Sequence, residues 1–384
     1  MANNLTLEDI NNLYFWATKL EEKEITYDEL ESKEDILNLT SITARNSLPK
    51  EVFKLNRLEW LEIYVEDLTE LPKEIGNLTN LKGLTIECPN LNELPKDIGN
   101  LTNLKVLRIE CPNLKELPKE IGNLTNLDGL TIKCPNLKKL PKEIENLTKL
   151  KRLEISCEKL KELPKEICNL TKLKEFEIRS KNLEKLPDEI GKLINLERFA
   201  VSCDKLTKLP KWIGNFTKLK DIDIAGDNLK ELPHEIGNLT KLKYFTLWRD
   251  NLTKFPKEIG NLVNLEDFRI YYGYNLREFP KEITNLIKLK YLMLEHCDKI
   301  KKLPKEIGNL INLKRLKIES VGLKELPKEI KNLINLENIE ITWDGYAKEL
   351  PNEILNFDKL ENIKITKMAP FYKRVRIKIR KERI

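Results

Sequence analysis

One rhythm of prolines and leucines runs through most of the chain and constrains its fold more than any other feature. Fourteen of the 18 prolines form one series, with ten intervals of 23 residues and three of 24. An apolar residue follows each at three, six and nine positions, and the ninth is always leucine. The series comprises Pro49, Pro72, Pro95, Pro118, Pro141, Pro164, Pro187, Pro210, Pro233, Pro256, Pro280, Pro304, Pro327 and Pro351. Such a fixed period indicates a stack of repeats, each packed against its neighbours.

The sequence pattern of each repeat predicts one strand followed by one short helical turn. Residues 84–88 alternate apolar and polar side chains, as a strand with one buried face does. Pro95 then starts an i, i+3 spacing to Ile98 and Leu101, which suits a tight helical turn whose first N–H has no partner. No single coil buries enough surface to fold alone, so the coils must stack and pair their strands in parallel.

The phrase Leu-Pro-x-x-Ile-x-x-Leu-x-x-Leu, seen at residues 94–104, resembles the leucine-rich repeat family. It is similar to the LPxxIxxL subclass of Ras-group and Scribble-type scaffolds, plant intracellular proteins and many bacterial repeat proteins. The resemblance covers about residues 37–366 and implies an α/β solenoid. In that fold a single parallel β-sheet lines the curved concave face, and short helical turns form the convex face. One departure is the family's buried asparagine column, which is replaced here by residues such as Pro89 and Asp204.

Both ends of such a stack need caps, because an uncapped end exposes core. Apolar side chains at helical spacing over residues 6–20, behind Thr6 and Asp9, predict a capping helix. Leu37 and Leu39 are expected in the first, atypical strand, and residues 375–380 alternate as a closing strand. The predicted organisation is an N-terminal cap over residues 1–47, repeats over 48–366 and a basic capping strand over 367–384.

The composition argues against most enzyme classes and against a membrane-spanning protein. The two histidines lie far apart, and no glycine-rich phosphate loop, zinc spacing or Ser-His-Asp arrangement occurs, so we expect no catalysis, metal or cofactor. No apolar run approaches the about 18 residues that a spanning helix needs. The first 18 residues carry two acidic and no basic residues, unlike a secretory signal, which favours a cytoplasmic protein. The chain is expected to be a monomer.

Six of the seven cysteines form a column two residues after the second apolar residue of a strand, with one residue more in the longer coil around Cys297. Neighbouring strands would hold these side chains in parallel about 4.8 Å apart, which does not suit a disulfide. We therefore predict buried, reduced thiols with a packing role. The six are Cys88, Cys111, Cys134, Cys157, Cys203 and Cys297.

Aromatic residues concentrate in one region. Residues 244–291 hold six of the 15 Tyr and Trp residues, several at outward strand positions of three successive coils. Exposed Tyr and Trp are enriched at binding hot spots. We call the predicted partner site the aromatic patch: Tyr244, Trp248, Tyr271, Tyr272, Tyr274 and Tyr291, with Arg249, Arg269 and His296 at its edge. The alternative is that these aromatics only pack on one another as a smooth sheet surface.

The favoured function is a scaffold that binds a protein or peptide on the concave face. The alternative is binding of nucleic acid or an acidic membrane through the basic C-terminal tail. Residues 367–384 carry eight Lys/Arg against one Glu, a charge of +7 in a chain of +6. Clustered cations bind phosphate, but a capping strand with a solvated outer face accounts for the same pattern.

Overall fold

The structure is a computed structural model that describes residues 5–19, 32–249, 251–319, 322–344, 362–368 and 374–378. The chain divides into two compact units, Met1–Leu193 and Ile194–Ile384. Both units are built from the same coil, in which a short strand is followed by a 3₁₀ turn. This is the predicted solenoid of the α/β class.

The first unit begins with one α-helix, α1 (Leu7–Lys19), and a 3₁₀ turn at Lys33–Asn38. Its strands pair in parallel with their neighbours in chain order. They are β1 (Ser41–Ala44), β2 (Trp60–Ile63), β3 (Gly83–Ile86), β4 (Val106–Ile109), β5 (Gly129–Ile132), β6 (Arg152–Ser156) and β7 (Glu175–Arg179).

The second unit continues the pattern. Strands β8 to β15 pair in parallel, and β16 pairs antiparallel with β15. The strands are β8 (Arg198–Ser202), β9 (Asp221–Ala225), β10 (Tyr244–Trp248), β11 (Asp267–Tyr271), β12 (Tyr291–Glu295), β13 (Arg315–Glu319), β14 (Asn338–Asp344), β15 (Asn362–Met368) and β16 (Arg374–Lys378). The last strand confirms the strand predicted near the C-terminus, although residues 379 and 380 lie outside the described residues.

From β1 to β13, a proline directly precedes the 3₁₀ turn that follows each strand, as the spacing predicts. Pro118, for example, has φ −65° and ψ 142°, and its carbonyl accepts the N–H of Ile121 at 3.1 Å. The turns are Lys50–Lys54, Lys73–Asn77, Lys96–Asn100, Lys119–Asn123, Lys142–Asn146, Lys165–Asn169, Asp188–Lys192, Lys211–Asn215, His234–Asn238, Lys257–Asn261, Lys281–Asn285, Lys305–Asn309 and Lys328–Asn332. Proline fixes the entry angle while its missing N–H removes no hydrogen bond.

The N-terminal segment is partly as expected. In α1 the Thr6 N–H donates to the Asp9 carboxylate at 2.7 Å, and the Asp9 N–H donates to Thr6 Oγ1 at 3.1 Å, which is the predicted capping box. The prediction for Leu37 and Leu39 is wrong, because the first strand is Ser41–Ala44. Leu39 instead ends a 3₁₀ turn two residues before that strand and is buried there, as Leu58 is two residues before β2.

The cysteine column is buried and free of disulfides, as predicted. The thiols of Cys88, Cys111, Cys134 and Cys157 donate weakly to a strand carbonyl of the preceding coil. Cys111 Sγ, for example, lies 3.6 Å from the Ile86 carbonyl oxygen and Cys134 Sγ 3.8 Å from that of Ile109. Cys297 Sγ instead donates to the Glu295 carbonyl of its own coil. Burial raises the pKa of both thiols to about 12, because the thiolate would lose its hydration. The column is therefore an inert, packed ladder.

We expect the column thiols to resist a disulfide reagent such as DTNB in the native protein. A pKa raised from 9.0 to about 12 lowers the thiolate fraction about a thousandfold, and burial further limits access. Labelling at pH 8, followed by absorbance, should be slow until guanidinium unfolds the chain. Because the folded state favours the protonated thiol, its stabilising contribution is complete below pH 8 and declines as the pH rises toward 12. Rapid native labelling in a Cys168→Ser background would contradict this assignment.

An asparagine ladder is present, displaced by one residue from the usual family column. Asn136 Nδ2 donates to the Pro112 carbonyl at 2.7 Å, and Asn228 Nδ2 donates to the Asp204 carbonyl at 2.7 Å. Both residues come four positions after the second apolar strand residue. These bonds link a coil to the preceding coil and satisfy loop carbonyls at the edge of the stack.

Candidate partner-binding surface

Strands β10, β11 and β12 place the aromatic patch on the solvent-facing side of the sheet. Along β10, Phe245 and Leu247 are buried, whereas Tyr244 is 47 % exposed and Trp248 is half-buried. The same alternation holds in β11, and in β12 it holds except at Met293, which is buried as well. Because successive strand residues point to opposite faces, the buried Phe and Leu side chains fix which aromatics face outward.

Trp248 and Tyr271 form a parallel stack across β10 and β11. The two residues are directly paired in the strand register, and their ring centroids lie 3.8 Å apart with an interplanar angle of 8°. On the other side of Trp248, the paired residue of β9 is Ala225, which leaves room beside the indole. The stack therefore presents a large rigid surface beside a small side chain, an arrangement that can receive an apolar side chain of a partner.

Arg269 lies on the same face but is committed to neighbours within the chain. Its guanidinium donates to both carboxylate oxygens of Asp267, from Nε at 2.8 Å and from Nη2 at 2.6 Å. Its Cζ also lies 4.6 Å from the centroid of the Tyr291 ring. These hydrogen bonds raise the pKa of Arg269. Arg269 thus orients Tyr291 and is less available to a partner than an unpaired arginine.

The remaining edge residues form a second group, at the rim where the strands end. Tyr272 stacks on His296 with centroids 5.1 Å apart and an interplanar angle of 13°, and Arg249 Cζ lies 5.8 Å from the Tyr272 centroid. Tyr274, which is 50 % exposed, contacts both rings, at 5.9 Å from Tyr272 and 6.1 Å from His296. We call Arg249, Tyr272, Tyr274 and His296 the rim stack.

All nine predicted residues thus lie at the surface, and eight of them form three contact groups. Tyr244 stands apart, about 13 Å along its strand from Trp248, between Asp221 and Asp267 in the register of the sheet. Sequence reasoning missed the roles of Ala225, which leaves one face of Trp248 open, and of Asp267, which anchors Arg269. Ala225 could have been identified from the sequence, because it is the small residue at the outward strand position that Trp248 occupies in the next coil.

Two absences concern only the described part of the chain. No helix there is long and apolar enough to cross a bilayer. No group of three or more His, Cys, Asp or Glu in those ranges is placed to hold a metal ion.

The coils define a repeat solenoid, and comparison with known proteins identifies its family. The model of a leucine-rich repeat region matches residues 35–162, 121–205, 142–231 and 278–377. The chain belongs to the leucine-rich repeat family. Proteins of this family are generally protein-interaction scaffolds.

Solved structures agree with this assignment. A leucine-rich repeat protein of Leptospira interrogans is 31 % identical, with a TM-score of 0.66 over 92 % of this chain and 95 % of that one. An internalin of Listeria monocytogenes is 17 % identical, with a TM-score of 0.60 over 92 % of each chain. The functional domain of InlJ from Listeria monocytogenes is described as including a cysteine ladder. It is 19 % identical, with a TM-score of 0.56 over 81 % of this chain and 68 % of that one. These two Listeria structures share only the fold with this chain. None of the curated proteins compared with the chain matches it in sequence.

Proposed function

We propose that this protein is a non-catalytic scaffold that binds a protein or peptide partner through the aromatic patch on the concave face of its sheet. The observation that supports this most is the half-buried, solvent-facing stack of Trp248 and Tyr271, which has an open flank over Ala225. Large, rigid aromatic side chains supply contact area at low entropic cost. Leucine-rich repeat proteins generally act as interaction scaffolds, which agrees with this proposal.

Mutual packing alone accounts for the patch less well. Packing explains why Trp248 and Tyr271 stack, but it gives no reason for Tyr244 and Tyr274 to remain 47 % and 50 % exposed. It also gives no reason for aromatic residues to gather in three successive coils. Affinity capture of host proteins by the wild-type chain and by a variant without the Trp248 and Tyr271 rings tests the proposal.

The finer assignments rest on the sequence and stay predictions. We assign the chain to the LPxxIxxL subclass on its proline series, and we propose a monomer in the cytoplasm without catalytic activity. Seven buried cysteines without a disulfide suit a reducing compartment, although burial alone also protects a thiol. Cell fractionation and size-exclusion chromatography with light scattering test the location and the oligomeric state.

The C-terminal segment supports a cap more than a binding arm. Strand β16 (Arg374–Lys378) pairs along its length with β15, whose outer edge would otherwise expose unpaired backbone groups. We therefore propose that residues 367–384 close the stack, and that nucleic acid or an acidic membrane is not the main partner.

Deleting residues 373–384 should lower the thermal unfolding midpoint by several degrees, because the edge of β15 loses its backbone partners. Retention on DNA-cellulose or on phosphatidylserine vesicles should stay negligible in both proteins. A variant with Arg380, Lys381 and Arg383 replaced by Gln provides the control, since it removes charge without removing β16. An unchanged midpoint together with lost, salt-sensitive retention would favour the binding arm instead.

A further inference from the structure

Three residues at equivalent positions of successive coils adopt a strained backbone conformation. Arg249, Tyr272 and His296 have φ values of 49°, 62° and 54°, and they are the non-glycine residues with positive φ in the described ranges. Each comes directly after its strand. Left-handed φ is unfavourable for residues with a Cβ, and outliers that persist often belong to functional sites.

The strain turns these side chains outward. In other coils the same position holds a small buried residue, such as Cys203 or Gly226. In the coils of β11 and β12, one extra residue, Gly273 or Cys297, occupies the buried slot instead. The two buried slots adjoin, because a Cβ on Gly273 would lie 2.9 Å from the Cys297 side-chain sulfur. The insertion thus fills the core slot and leaves Tyr272 and His296 at the surface.

The rim stack offers ring edges to a partner, because its central ring is covered on both faces. Tyr272 has His296 on the side of β12 and the Arg249 guanidinium on the side of β10. A base or ring of a ligand therefore cannot stack on Tyr272. What remains accessible is a row of hydroxyl, imidazole and guanidinium groups together with the electropositive ring edges, and all of these favour an anionic acceptor.

The charge of the rim agrees with this preference. The three loop segments 249–254, 272–279 and 296–302 carry six Lys/Arg against three Asp/Glu, a balance of +3. Arg249 is exposed, and no ion pair joins it to another residue in the described part of the chain. Among the residues that the structure describes, its guanidinium contacts the Tyr272 ring, which leaves its N–H groups able to bind a carboxylate bidentately.

We infer that the rim stack binds an acidic peptide segment of the partner, with carboxylates accepting hydrogen bonds from Arg249 and from the hydroxyl and imidazole groups beside it. Two strand spacings separate Arg249 from His296, or about 10 Å, which equals about three residues of extended peptide. The segment should therefore carry two Asp or Glu residues three or four positions apart. This inference rests on the proposed scaffold function and specifies which chemistry the scaffold reads.

A displayed library of random twelve-residue peptides, selected on the full chain, tests the inference. We expect the recovered peptides to carry net negative charge with the stated spacing. Labelled synthetic copies, measured by fluorescence polarisation, should bind at least tenfold more weakly when Asp and Glu are replaced by Asn and Gln. Arg249→Gln should cause a similar loss, and higher salt should weaken binding. Arg152→Gln, an exposed arginine on the other unit, is the matched control and should change affinity less than twofold.

Several results would overturn the inference. Recovery of neutral or basic peptides that compete with the captured host partner would reject acidic recognition and leave the scaffold function intact. If acidic peptides bind the Arg249→Gln variant as well as they bind the wild type, they are recognised at a surface other than the rim stack. Binding of a single-stranded oligothymidine through Arg249, without any selected acidic peptide, would replace the peptide with a phosphate chain. Failure to recover peptides and failure to capture any host protein would reject both the inference and the scaffold proposal.

Discussion

Replacing Trp248 and Tyr271 together by alanine is expected to weaken partner binding by on the order of a hundredfold or more. A buried aromatic anchor contributes about 2 kcal/mol or more, which corresponds to roughly thirtyfold in affinity. The two rings support each other, with centroids 3.8 Å apart, so their effects will not simply add. Surface plasmon resonance with the partner identified by affinity capture measures the loss.

The same double variant should remain folded. Both side chains lie on the solvent-facing side of the sheet and not in the core. The cross-strand stack contributes about 1 kcal/mol beyond area burial. The thermal midpoint should therefore fall by only a few degrees. Trp60→Ala is the matched control, because Trp60 is 45 % exposed on the outward face of β2 in the other unit. Equal binding by the double variant and the wild type would reject the aromatic patch as the partner site.

The coil architecture and the outward placement of the patch could be predicted from the sequence. The proline series fixes where each turn begins, and period-two alternation then assigns each strand residue to a face. Tyr244, Trp248 and Tyr271 follow from these two rules alone. The cysteine column follows from the same register, because strands that stack in phase bring equivalent residues into one buried row.

The strained rim and the first strand could not be predicted in the same way. A change of period from 23 to 24 residues marks an insertion, but it does not reveal which residue turns outward. Arg249 adopts the same conformation in a 23-residue coil, without that signal. At the N-terminus no proline of the series precedes Leu39, so its equivalence to Leu58 and Leu81 was hidden. The strand was therefore expected several residues before Ser41–Ala44.

Phe245→Ala and Tyr244→Ala should separate core from surface within one strand. Phe245 is fully buried and its ring centroid lies 5.3 Å from that of Phe268, whereas Tyr244 next to it is 47 % exposed. Removing the Phe245 ring should lower the free energy of unfolding by about 3–5 kcal/mol, because it loses apolar burial and leaves a cavity. Removing the Tyr244 ring should cost less than about 1 kcal/mol.

Urea unfolding followed by circular dichroism measures both variants. Because neighbouring coils stabilise each other, the loss at Phe245 is expected to reach across several coils of the second unit and to lower the midpoint of its transition. Partner affinity is the second measurement. If Tyr244 contributes to the patch, Tyr244→Ala should weaken partner binding while the stability of the chain stays nearly unchanged. Under conditions where Phe245→Ala stays folded, it should bind nearly as the wild type does, since its side chain faces the core. A reversal, with Tyr244→Ala the more destabilised variant, would mean that the outward and inward faces of β10 are exchanged, and the whole assignment of the binding surface would fall with it.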